Sequence, residues 1–114
     1  MTGTDARIVF TTTASIEDAR LLARALVEER LAACATLIPA VESIYRWDDK
    51  VESAGEVLLL LKTGAGKLAA LEARLLNLHS YEIPEFLVLP IEHGSDSYLA
   101  WMRTSLSAPD PEQP

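Results

Sequence analysis

The residues best equipped for chemistry sit close together late in the chain: His79, Tyr81, Glu82 and Glu85. An imidazole beside carboxylates suits a borderline or hard divalent cation, and the phenol adds a group for a small polar ligand. The stretch joins a helical pattern to a strand pattern, and such junctions commonly hold functional side chains. No second metal ligand accompanies His79 at a fixed spacing, so a structural role stands beside the chemical one. In that role His79 closes a helix favourably, while Tyr81 and Glu82 satisfy backbone groups at a subunit contact. Glu85 would then be a paired charge at the same contact. Lys67 is a further candidate, a cation for a small ligand.

Two other features invite chemistry and carry less of it. Lys62 and Lys67 flank Gly64 and Gly66 in KTGAGK, but the phosphate-loop spacing GxxxxGK[ST] is absent, so this stretch turns the chain into a helix. Cys34 is the single cysteine, which excludes an internal disulfide. Its neighbours Ala32, Ala33 and Ala35 bring no positive charge to activate it, so it reads as a small buried hydrophobe. No nucleophile, base and orienting group occur together, and the chain is not expected to be an enzyme.

The elements that must position these residues follow from periodicity. Residues 7–13 form a β-branched run that suits a strand. Ser15 is placed as a helix N-cap, with Asp18 positioned to complete a capping box and Glu17 in the favourable first turn. Ala19, Leu22, Ala23, Leu26 and Val27 then share one face of a helix expected over residues 16–31. Residues 34–38 resume as a strand until Pro39, which lacks a ladder donor and marks a bulge, an edge or a bend. Beyond it Val41, Ser43, Tyr45 and Trp47 lie on one side, Glu42, Ile44 and Arg46 on the other. Asp48-Asp49 is a tight turn, although glycine would suit its second place better. The chain returns over residues 51–63, where the run Val57 to Leu61 implies burial on both faces.

A second helix is expected over 67–78, with Leu68, Leu71, Leu75 and Leu78 at spacings of three and four. A strand over 85–91 follows, then a short helix after Ser95 or Asp96 carrying Tyr98, Leu99, Trp101 and Met102. The order β-α-β-β-α-β plus a C-terminal helix is the ferredoxin-like split βαβ plan of the α+β class: an antiparallel sheet with both helices on one face and the other face open. Residues 1–106 make one domain, and the Pro-rich, acidic stretch 107–114 reads as a disordered tail.

Composition narrows the partners. With 114 residues the chain is long enough for a real core, and its 49% hydrophobic content exceeds that of disordered chains. The formal net charge of −7 repels phosphate backbones, so nucleic acid is not expected as a partner. No apolar run is long enough to span a membrane, and residues 1–6 lack the pattern of a secretory signal, so a cytoplasmic protein is expected. The long hairpin offers more apolar and aromatic surface than one small domain can bury. Copies of the chain are therefore expected to associate, with Tyr45, Trp47 and Trp101 as interface anchors.

Three separated stretches, LVEERLAACATLIPAVESIYRW, EVLLLLKT and HSYEIPEFLVLPIEHGSDSYLAWM, closely resemble the CutA family of divalent-cation tolerance proteins, in the right order and over residues 7–106. The resemblance implies a compact homotrimer of ferredoxin-like subunits, cytoplasmic in bacteria and associated with tolerance of copper and other divalent ions. Copper or another divalent cation is then the cofactor to look for, and His79 the metal ligand. In enterobacterial members the proposed copper ligands are a cysteine ending the first strand and two adjacent histidines after the second helix. Here those places hold Thr12, Leu78 and His79, so one of the three remains. The family's His-Pro-Tyr segment is His79-Ser80-Tyr81, and its turn glycine is Asp49. The alternative is a trimeric signalling module resembling PII-type regulators, with a small anionic metabolite held between subunits near His79, Tyr81, Glu82 and Lys67.

Overall fold

The computed structural model describes residues 3–108. Its elements run β1 (Ala6–Thr13), α1 (Ile16–Glu28), β2 (Cys34–Trp47), β3 (Lys50–Gly64), α2 (Leu68–Leu78), β4 (Leu87–Pro90) and α3 (Asp96–Leu106), with one 3-10 turn (Ala65–Lys67) leading into α2. The strands form one antiparallel sheet in the order β2-β3-β1-β4, which is the expected split βαβ arrangement. The central strands β1 and β3 send Val9, Val57, Leu59 and Leu61 to one face. There they meet Leu22 and Leu26 of α1 and Leu71 and Leu75 of α2, all buried. A second cluster of Ala6, Ala33, Met102 and Leu106 seats α3 over one end of the opposite face.

Ser15 caps α1 as its type predicts, its Oγ accepting from the Asp18 N–H at 3.1 Å. Among the described residues no bond returns from the Asp18 carboxylate, so the capping box is half made. The helix stops at Glu28, short of residue 31. Arg30 takes φ 60°, and Leu31 N–H reaches Leu26 C=O at 2.9 Å while Arg30 N–H reaches Val27 C=O at 3.0 Å. That is a Schellman ending, which apolar periodicity continuing to Leu31 conceals. Below it Arg74 of α2 grips the Glu29 carboxylate with two hydrogen bonds of 2.8 and 2.9 Å, joining the two helices at this end.

The irregularity expected at Pro39 is a β-bulge. Ile38 pairs with Leu58 and Val41 with Glu56, so Pro39 and Ala40 together oppose Val57, and Ala40 adopts φ 60°. The hairpin beyond closes through Asp48 and Asp49 at φ 49° and 62°, the two left-handed residues of a type I′ turn. It projects as an arm. The radius of gyration is 15.5 Å, against about 13 Å for a compact chain of this size.

Three further expectations change. The run Val57 to Leu61 is buried on one face only: Val57, Leu59 and Leu61 are enclosed, while Leu58 and Leu60 are half-covered on the open face. The last strand is Leu87–Pro90 rather than 85–91, because only residues facing Arg7 to Phe10 find a ladder partner. Ser107 belongs to the end of α3, its N–H and Oγ both bonding Arg103 C=O, and the rest of the predicted tail, from residue 109 on, lies outside the described residues.

One core hydroxyl is uncompensated. Thr13 and Thr63 donate to Ser15 C=O and Leu31 C=O at 2.9 and 2.7 Å, but the buried Oγ1 of Thr11 has no partner among the described residues. Replacing that hydroxyl with a methyl removes a desolvation penalty. Thr11→Val should raise the unfolding free energy in urea by about 1 kcal/mol, and a loss of stability would show that the hydroxyl is satisfied.

Candidate functional site

The bulge decides which side chains meet. One extra residue reverses the facing of every later position on β2, so Ser43, Tyr45 and Trp47 point to the same side as Glu56, Leu58 and Thr12. The turn between α2 and β4 folds over this end of the sheet and brings Tyr81, Glu82 and Glu85 against them. Together they line an open cleft of about 650 Å³.

His79 holds the turn in place. It is the C-cap of α2, its N–H bonded to Leu75 C=O at 2.9 Å. Its Nδ1 accepts from the Tyr81 N–H at 3.1 Å, which leaves the ring proton on Nε2. Nε2 therefore donates to Thr12 C=O at 2.7 Å, pinning the end of α2 to the end of β1. The His79 and Tyr81 rings lie 4.8 Å apart, and the Tyr81 hydroxyl donates to Glu56 Oε2 at 2.5 Å. A chain of contacts thus runs from Thr12 through His79 and Tyr81 to Glu56.

Electrostatics agrees with that geometry. Burial pushes the Glu56 carboxyl up, but hydroxyls of Ser43, Tyr81 and Thr12 stabilise its charge and hold it below the ordinary carboxylate value. Burial first, and the Glu56 carboxylate second, hold the Tyr81 phenol protonated well above its ordinary range. The pair is a fixed donor and a fixed anion at the inner wall of the cleft.

The candidates from the sequence therefore separate. Tyr81, Glu82 and Glu85 meet in the cleft, and Tyr45 and Trp47 join them there. His79 stands behind it and opens on a different recess of about 380 Å³ with Thr13, Asp18 and Leu78. Lys67 lies at the far end of α2, in the 3-10 turn, roughly 16 Å of helix away from His79. Trp101 is on α3, stacked on Tyr98 at 5.3 Å. Cys34 does face a cation, because it pairs with Lys62 across the ladder, although Lys62 Nζ is directed to the Tyr98 hydroxyl at 3.2 Å. Glu56 and Ser43 were not singled out in the sequence. The available signal was a lone glutamate at the head of an apolar strand run.

A copper ion does not fit the place the resemblance suggests. Thr12 and Leu78 offer no sulfur or imidazole, and both nitrogens of His79 are committed to backbone partners. Among the described residues no three His, Cys, Asp or Glu side chains converge as metal ligands.

Tyr81→Phe should lower the unfolding free energy at pH 7 by about 1 kcal/mol, below the range for a fully buried charged hydrogen bond because the pair is partly screened. Glu56 contributes stability above the ordinary value of 4.5, lost as pH falls through its lowered native value. Tyr81 contributes below its ordinary 10.0, with the contribution lost as pH rises beyond it. The gap between wild type and Tyr81→Phe in urea titrations should thus narrow at both extremes. A gap independent of pH would break the assignment.

Comparison with known proteins gives the frame for this site. The family described as CutA1 divalent ion tolerance protein matches residues 7–105. The divalent-cation tolerance protein CutA of Thermus thermophilus is 47% identical over 96 residues, spanning 84% of this chain and 93% of that relative. A chloroplastic CutA of Arabidopsis thaliana is 41% identical over 98 residues, 86% of this chain, which spans only 54% of the relative's length. The crystal structure of CutA from Xylella fastidiosa superimposes with a TM-score of 0.89 at 38% identity, covering 91% of this chain and 100% of that one. The Thermus thermophilus structure gives 0.86 at 45% identity, covering 88% and 97%. With the family matched over residues 7–105, relatives above 40% identical across most of the chain and structures that superimpose over nine-tenths of it, the chain belongs to the CutA1 divalent ion tolerance protein family.

Proposed function

We propose that this chain is a non-enzymatic, cytoplasmic divalent-cation tolerance protein that works as a homotrimer, and that tolerance does not pass through a copper ion on His79. The observation that carries the assembly is the open sheet face. Ile8, Phe10, Leu58 and Leu60 are half-covered there, and Ile38, Leu87 and Leu89 are exposed, Leu87 by 58%. Covering the three exposed side chains alone would stabilise each chain by roughly 3–6 kcal/mol. The sheet also ends in two unpaired edges, β2 and β4, and β2 runs for 14 residues. A long edge beside an apolar face is a template for another chain. The number three comes from the family resemblance; the need for partners comes from this surface.

Absence of enzymatic activity is supported by the names of the relatives, which are those of tolerance proteins. The cleft provides a carboxylate and a phenol already bonded to each other, with no nucleophile between them. The alternative of an anion-sensing PII-like module finds no support, since no lysine or arginine lines the cleft and Lys67 stands apart.

Light scattering of a dilute sample should return three times the chain mass of 12.5 kDa. Leu87→Glu combined with Leu89→Glu should shift it toward one. A folded wild type at the single-chain mass would sink the assembly. Copper titrated by calorimetry should give no saturable heat that His79→Ala abolishes, and one ion per chain lost in that variant would refute the second part.

A further inference from the structure

Between α3 and the bulge, Lys62 is the one charged residue that the described strands send to the open sheet face. Its neighbours there are Ile8, Phe10, Cys34, Leu58 and Leu60. The Lys62 ammonium donates to the Tyr98 hydroxyl at 3.2 Å and lies 5.4 Å from the centre of the Tyr98 ring, so both of its contacts are uncharged. That hydrogen bond raises the Lys62 pKa above its ordinary value, and the amine is charged at neutral pH. No carboxylate reaches it: among the described residues the salt bridge is Arg74 with Glu29. Another chain laid over Leu58 and Leu60 takes this ammonium out of water, and a desolvated charge without a counter-charge is costly. The covering chain must therefore bring a carboxylate.

The opposite end of the same face holds one. Glu82 and Glu85 line the cleft beyond the bulge, neither is in an ion pair among the described residues, and no lysine or arginine lines that cleft. Glu56 and Lys62 stand at the two ends of this stretch of β3, roughly 20 Å apart along the strand, so Lys62 cannot reach the cleft of its own chain. We propose that Lys62 of a second copy enters the cleft and pairs with Glu82 and Glu85, a contact that rests on the homotrimer reading and names its anchor. Copies closed into a ring of three meet head to tail, so two different patches face each other at every contact. A cation at one end of a face and carboxylates at the other are such a pair of patches. Tyr45 and Trp47, at the mouth of the cleft, then cover the methylene stem of the incoming lysine. One ammonium against three carboxylates leaves the assembled cleft acidic and still unsuited to an anion.

The test is carbodiimide coupling of the full chain, which joins an amine to a carboxylate only where the two touch. Denatured product is expected at two and three times the chain mass, and mass spectrometry of its digest should show Lys62 joined to Glu82 or Glu85. Lys62→Arg keeps the charge and cannot be coupled, so it should leave light scattering unchanged and remove that joined peptide. Lys62→Glu should raise the concentration at which the oligomer half-dissociates by about tenfold or more, and adding Glu85→Lys should recover most of the loss. The proposal is overturned by an intact oligomer in which Lys62 is joined to neither glutamate, or by Glu85→Lys deepening the loss caused by Lys62→Glu. Light scattering separates the two readings: an intact oligomer without the joined peptide strikes this contact alone, whereas a wild type at the single-chain mass removes the homotrimer and the contact with it.

Discussion

The structure depends on one extra residue in β2. Pro39 and Ala40 face the single Val57, and the cost is a non-glycine residue at φ 60°, on the order of 1–2 kcal/mol for an L-amino acid in the left-handed region. In return, the parity of the strand changes. Without the bulge, Ser43, Tyr45 and Trp47 would point away from Glu56, and Ile44 and Arg46 would take their place. The cleft would not exist. A proline at this position, unable to donate to a ladder, makes an unbroken register the worse alternative and so helps to specify the irregular one.

His79 shows how a residue suited to ligation can be fully used by the fold. A backbone N–H on one ring nitrogen and a backbone carbonyl on the other fix its tautomer and close the end of α2. What His79 supports is the position of Tyr81, and through it the charge on Glu56. The groups that face the cleft are the phenol of Tyr81 and the carboxylate of Glu56, and not the imidazole. Membership of a divalent ion tolerance family is consistent with that, since the family's name describes a cellular outcome and not a coordination sphere.

Two surfaces of different character share the open side of the sheet. Toward α3 and β4 it is apolar, with Ile8, Phe10, Leu60 and Leu89. Beyond the bulge it turns polar and aromatic. The boundary falls between Leu58 and Glu56, two residues apart on one strand. The hairpin arm carries Ile44 and Val51 on its other face, exposed by 70% and 67%.

The chain by itself determined the element order, the fold class, the cap at Ser15, the tight turn at Asp48-Asp49 and an irregularity at Pro39, because each is written in local periodicity or in the stereochemistry of one or two residues. It also marked Tyr81, Glu82 and Glu85 as neighbours, being close in sequence. Only the tertiary structure decided that Glu56 joins them, that Lys67 does not, that Cys34 faces Lys62, and that His79 has no lone pair to offer. Those facts rest on strand register and on hydrogen bonds between residues 25 to 67 positions apart. Register is a global property, set by a single inserted residue and by which face the helices cover, and no local pattern in the sequence carries it.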